Sequence, residues 1–243
     1  MAGVRGKLDI VGDGIGAADA RWSFDLPPES FTEHVRKSIP LYDEGHDLVC
    51  RYSDYFVGTG SIVYDIGTST GILANKLADW HAGKRDVRIV GIDVVPSMIE
   101  YCQSRYASQA NLQFVCADLV SHDFEPASLF TSYYVIQFVP TQVRQNLIDR
   151  IFQRLNWGGG FLMFEKVRAP DARFQDYATQ IYADYKLEHG YDAQEIVAKT
   201  RSLKGVLEPF SSNANVEMLQ RAGFKDIMTI QKWACFEGIL AIK

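Results

Sequence analysis

Strand and helix patterns alternate from residue 62 to residue 167, and this rhythm limits the possible folds more than any other feature of the chain. IVYDI (62–66) is a short apolar, β-branched run, and GILANKLADWHA (71–82) follows it with helical periodicity. VRIVGID (87–93) and PSMIEYCQSRYAS (96–108) repeat the pair, and Pro96 suits a first helical turn because its missing N–H would have no partner there. LQFVCAD (112–118) and SLFTSYYVIQFV (128–139) read as strands, TQVRQNLIDRIFQRL (141–155) as a helix and GGFLMFEKV (159–167) as a strand. Repeated βα units imply an α/β fold: a Rossmann-like, mostly parallel sheet with helices on both faces. The closing strands, KDIMTIQ (225–231) and ACFEGILAI (234–242), are too close in sequence to be anything but antiparallel. They follow a helix over 214–222 that Gly223 stops, and the expected total is seven strands with an antiparallel last one.

Before the first strand the chain predicts helices near 30–39 and 45–56, and after 167 a charged, tyrosine-rich helical stretch over 171–203. Residues 1–29 read as an irregular N-terminal arm, and 30–243 as one α/β domain with a helical lid over 168–213. GDGIGAAD (12–19) imitates a dinucleotide loop, but ARWSFDLPPES after it cannot be the long helix such a loop must open. The net charge of −5 is scattered, which argues against direct nucleic-acid binding. Cys50, Cys102, Cys116 and Cys235 lie far apart, with no C-x-x-C pair and no ligand-spaced histidine, so neither a disulfide framework nor a metal site is expected. MAGVRGKLDI lacks an apolar leader core and no long apolar run follows, so the expectation is a cytoplasmic protein without membrane contact.

The loop after the first strand of the alternating region decides between chemistries. Gly67-Thr68-Ser69-Thr70-Gly71 fits G-x-S-x-G, the nucleophile elbow of some hydrolases, and also the loops that seat nucleotides at a strand–helix junction. A hydrolase needs a histidine late in the chain, and His189, in the charged segment KLEHGYD, is the sole histidine after the fourth strand of that region. Three acids at strand ends favour the cofactor seat: Asp65 before the loop, Asp93 22 residues after Gly71 where it can accept from ribose hydroxyls, and Asp118 after the third strand. Asp65 would repel a pyrophosphate, and suits a cofactor whose polar end carries an ammonium and a sulfonium, as S-adenosylmethionine does.

WSFD (22–25), SIPLY (38–42), VYDIG (63–67), GIDVVPSMIEYC (91–102), IQFVP (136–140), LNWGGGFLMFEK (155–166), GYDAQEI (190–196), TRSL (200–203), AGF (222–224) and CFEGILAIK (235–243) together resemble the carboxy-S-adenosylmethionine synthase family, within the class I methyltransferase fold. The resemblance implies S-adenosylmethionine, or its carboxylated product, bound by Tyr42, Asp65, Gly67, Thr68, Ser69, Asp93, Val94, Asp118, Leu119, Tyr133 and Arg201. It further implies that Arg201, Tyr42 and Tyr133 serve the reaction, with Arg201 pairing with the added carboxylate. Without the resemblance, Arg201 reads as a surface helix arginine. The implied reaction decarboxylates a prephenate-like acid, and the sulfonium methyl, deprotonated to an ylide, captures the carbon dioxide. The product serves tRNA wobble-uridine modification, and the enzyme is expected to be a homodimer through the helices after 171. Thr68 stands where the family has cysteine, and Tyr133 where it has asparagine. A methyltransferase acting on a small acceptor is the alternative, and a cofactor-holding subunit without its own chemistry a third. Lys166, Arg168 and Arg173 follow the fifth strand of the alternating region, where they can meet an anionic donor acid.

Overall fold

The structure, a computed structural model, describes residues 9–11, 15–17 and 27–243. Most of the 1–29 arm, including WSFD (22–25) and much of GDGIGAAD (12–19), therefore lies outside the described residues. Within its described part, β1 (Asp9–Val11) and β2 (Ile15–Ala17) pair antiparallel.

The main sheet is built from β3 (Ile62–Ile66), β4 (Arg88–Asp93), β5 (Leu112–Cys116), β6 (Ala127–Tyr133), β7 (Leu155–Lys166), β8 (Asp226–Trp233) and β9 (Phe236–Ile242), in the order β5-β4-β3-β6-β7-β9-β8. The pairs from β5 across to β7 are parallel, and β9 runs antiparallel between β7 and β8. The expected seven-stranded sheet with an antiparallel last strand is thus present.

Helices α1 (Pro28–Ser38), α2 (Tyr42–Ser53), α3 (Ile72–Trp80), α4 (Pro96–Arg105), α5 (Thr141–Arg154), α6 (Ala172–Glu188), α7 (Ala193–Ser202) and α8 (Ser212–Ala222) complete the domain. The two-residue period of the strands sends alternate side chains to opposite faces. On β7, Phe161 and Met163 join the core against Leu147, Ile148 and Ile151 of α5 and Met218 and Leu219 of α8. Leu162 and Phe164 join the opposite core, with Val49 of α2 and Leu73, Ala74 and Leu77 of α3.

One difference from the sequence reading shapes the site. The fourth strand of the alternating region was expected to run to 139, but β6 ends at Tyr133 and Ile136–Phe138 form a 3-10 turn. Buried polar side chains compete for that backbone. The Glu165 carboxylate accepts the Ile136 N–H at 3.0 Å, and the Gln137 amide oxygen accepts the Lys166 N–H at 2.8 Å. The strand order reverses at β3, which has β4 on one side and β6 on the other, and ligands of open α/β sheets bind at the carboxyl ends beside such a point.

Candidate functional site

A cavity of about 910 Å³ opens above the carboxyl ends of β3, β4 and β6. Its floor is the loop between β3 and α3. Gly67 takes φ +67°, and a Cβ there would stand 2.4 Å from Val135 Cγ2. Gly71 takes φ +72°, and a Cβ there would stand 2.9 Å from both Phe114 and Cys102 Sγ. Ser69 lies between them with φ 50°. The loop is therefore left-handed at three positions, and two of them tolerate only glycine for steric reasons as well.

Two carboxylates hold this loop. Asp93 accepts the Ser69 N–H at 2.8 Å and the Val95 N–H at 3.0 Å, and burial pushes its carboxyl above the ordinary range. Its remaining lone pairs stand at the cavity, where ribose hydroxyls can use them. Ser69 Oγ is buried and has no hydrogen-bond partner, a second unmet polar atom at the cavity wall. The loop thus fits a nucleoside cofactor. Asp65 does something else: it is buried beneath the loop, outside the cavity lining. Thr68 Oγ1 donates to it at 2.7 Å and Thr131 Oγ1 at 2.8 Å, and burial pushes its carboxyl up to about 6. Through Thr68 it positions the loop from below.

Tyr42, Gly67, Thr68, Ser69, Asp93, Val94, Asp118, Leu119 and Tyr133 all line the cavity. Asp118 is exposed and accepts the Val120 N–H at 2.9 Å, a turn former at the end of the cavity near β5. Tyr133 donates to the Tyr42 carbonyl at 2.7 Å, which locks the end of β6 onto the start of α2. Its hydroxyl hydrogen is engaged there, and burial holds its phenol above the ordinary range. Arg201 is not brought to the cavity. Ile196, Lys199, Thr200, Leu203 and Lys204 line it, recurring at helical spacing, whereas Arg201 falls off that face and is exposed.

The contacts that hold the rest of the wall escaped sequence reasoning. SIPLY (38–42) is the joint between α1, α6 and α7: Tyr182 donates to the Ser38 carbonyl at 2.9 Å, and Ser38 Oγ lies 2.9 Å from Tyr191 Oη. Tyr191 Oη is also 3.0 Å from His34 Nδ1. Arg144, on α5, is buried and props the IQFVP turn from behind. A cation in an otherwise amphipathic helix gives no sign of this use. Among the described residues no cluster able to hold a metal is present, and no helix is long and apolar enough to cross a membrane. The hydrolase alternative fails on geometry: His189 is exposed and stacks on Tyr185, and it does not line the cavity that holds Ser69.

His46 packs against Tyr42 and Tyr133, and burial pushes its imidazole down to about 3. Because the folded value lies below the unfolded one, its contribution to stability is complete above about pH 6.5 and is lost as pH falls toward the folded value. The stability difference between wild type and His46→Gln is expected to shrink on acidification below that point, by up to about 1.4 kcal/mol per pH unit. Taking the difference cancels the opposite contributions of Asp65 and Asp93. Denaturant unfolding at a series of pH values checks this, and identical pH slopes for the two proteins would refute it.

The layout is that of a class I S-adenosylmethionine-dependent methyltransferase fold, and comparison with known proteins bears this out. A model described as a methyltransferase domain matches residues 63–159. The S-adenosylmethionine-dependent methyltransferase SibL superposes with a TM-score of 0.62 at 14% identity, covering 88% of this chain and 58% of that one. Human N-acetylserotonin methyltransferase, in complex with S-adenosylmethionine, gives 0.54 at 16% identity, covering 93% and 63%. At sequence level, the carboxy-S-adenosyl-L-methionine synthase of Staphylococcus epidermidis is 37% identical over 225 residues, 92% of this chain and 97% of its own. The protein of that name from Campylobacter jejuni is 35% identical over 92% of this chain and 94% of its own. The chain belongs to the carboxy-S-adenosyl-L-methionine synthase family of S-adenosylmethionine-dependent transferases.

Proposed function

We propose that this protein binds S-adenosylmethionine on the Gly67–Gly71 loop and Asp93, and carboxylates its methyl group with carbon dioxide from a prephenate-like acid. The observation that carries the reading is the single cavity of about 910 Å³ running from that loop to α6 and α7. Its volume is near the top of the roughly 300–1,000 Å³ range of pockets that bury one drug-sized ligand, and leaves space for a second small molecule beside the cofactor. S-adenosylmethionine supplies an acidified methyl group, and the protein supplies orientation and exclusion of water. Asp93 accepts from the ribose, Asp118 and Leu119 flank the adenine end, and Tyr42 and Tyr133 cover the methionine end. Residues 168–213 act as the lid, latched to α1 through Ser38.

The reading extends to a cytoplasmic homodimer without direct nucleic-acid contact. Phe174, Tyr177 and Ile181 form an exposed apolar stripe on α6 that suits a subunit contact. The product then serves a separate tRNA-modifying enzyme.

Mass spectrometry of the small molecule released on denaturing freshly purified protein tests the function. A species heavier than S-adenosylmethionine by one carbon dioxide is expected. S-adenosylmethionine or its demethylated product alone, with no carboxylated species formed on adding prephenate, would favour methyl transfer to a small acceptor.

A further inference from the structure

Four lysines line the cavity, Lys166, Lys186, Lys199 and Lys204, and the first two share one aromatic neighbour. Lys166 ends β7 and Lys186 lies in the last turn of α6. Lys186 is only 7% exposed. Their ammonium groups lie 4.3 and 4.4 Å from the ring centroid of Tyr182, so both reach one small region of the cavity. Among the described residues neither ammonium makes an ion pair or donates a hydrogen bond. The titratable neighbours that act on them are each other, Arg168 and Cys235, and none is a carboxylate. Burial pushes the Cys235 thiol up, so it stays neutral and offers no counter-charge.

A buried cation without a partner is costly, and two of them repelling one another are costlier. The Tyr182 ring offsets part of this through its negative face. A stable fold has no use for such a pair unless an anion arrives. Of the basic residues the sequence singled out after β7, only Lys166 is so placed. Arg168 gives its Nε–H to the Pro209 carbonyl at 3.1 Å, and Arg173 does not line the cavity.

We propose that Lys166 and Lys186, beside the Tyr182 ring, form the subsite that holds the carboxylates of the second substrate. This rests on the cofactor-plus-donor reading above, and adds which residues hold the donor. Each ammonium donates to one carboxylate of the acid. No covalent step is assigned to either lysine.

The test is calorimetric titration of prephenate into protein saturated with S-adenosylhomocysteine, for wild type, Lys186→Met and Lys166→Met. Each variant is expected to bind prephenate about tenfold to hundredfold more weakly, the loss of one charged hydrogen bond. S-adenosylhomocysteine affinity should stay within about twofold and, because an unpaired buried charge has been removed, the melting temperature without ligand should not fall. Phenylpyruvate, with one carboxylate, should bind the wild type more weakly than prephenate does. Unchanged prephenate affinity in both variants would overturn the subsite and leave the carboxylation reading intact. Weakened prephenate binding in the variants, with a wild type that forms no carboxylated product, would support the subsite and overturn the reaction.

Discussion

Asp93→Ala is expected to weaken S-adenosylmethionine binding by at least about a hundredfold, the loss of two hydrogen bonds to a charged acceptor at roughly 1.5–3 kcal/mol each. The carboxylate has two jobs at once. Toward the protein it accepts the Ser69 N–H at 2.8 Å and the Val95 N–H at 3.0 Å, and so pins a loop whose backbone is left-handed at Gly67, Ser69 and Gly71. Toward the cavity it offers the lone pairs a ribose needs. Alanine removes both, so the loop loses its anchor as the ligand loses its acceptor. Asp93→Asn separates the two, since its amide oxygen can keep one backbone contact while the charge is gone, and it should fall between wild type and alanine. Calorimetry with S-adenosylmethionine gives the affinities, and thermal melting without ligand gives the cost to the fold. An alanine variant that binds the cofactor as tightly as wild type would mean that the ribose lies elsewhere.

The contrast between Asp93 and Asp65 shows what was legible in the sequence. Both are acids at strand ends beside a glycine loop, and pattern alone gives them the same role. In β3 the two-residue period sends Asp65 down among Thr68 and Thr131, whereas Asp93 ends β4 at the cavity. The order of βα units, the antiparallel end of the sheet and the loop itself were all readable, because hydrophobic period, Gly and Pro are local signals. The Arg201 segment shows the same limit: a motif fixes neighbourhood, and a helix rotates each residue by about 100° from the last. Lys199 and Thr200 face the cavity while Arg201 does not. Lys186 was invisible because its isolation from carboxylates depends on three elements distant in the chain. The truncation of β6 at Tyr133 was hidden because the competing acceptors, Glu165 and Gln137, are ordinary residues of a strand and a turn until they meet.

Those same contacts carry the largest expected effect on stability. Arg144 is 1% exposed, and its guanidinium donates to the carbonyls of Val139 at 2.8 Å, Gln137 at 3.3 Å and Glu208 at 3.0 Å. It also stacks over Phe210, 4.3 Å from the ring centroid. This side chain therefore reinforces the backbone bond from the Glu208 N–H to the Gln137 carbonyl, and ties the 3-10 turn at Ile136–Phe138 to the strap at 208–210, two segments far apart in sequence that both line the cavity. It also lies near Glu165, which burial pushes up to about 8 against the lowering pull of Arg144. Arg144→Ala takes the guanidinium from the Val139 and Glu208 carbonyls, leaves the Gln137 carbonyl with the Glu208 N–H alone, removes the counter-charge and opens a void, and breaking such a buried charged network costs about 3–5 kcal/mol. Set against the roughly 5–15 kcal/mol of a typical domain, that loss is a large part of the whole. Urea unfolding should show the midpoint falling steeply in Arg144→Ala and less in Arg144→Lys, whose ammonium keeps the charge but cannot span the same acceptors. S-adenosylmethionine affinity should fall with the midpoint, since the turn forms the cavity wall. A midpoint equal to that of wild type would show that the turn and the strap hold together without this guanidinium.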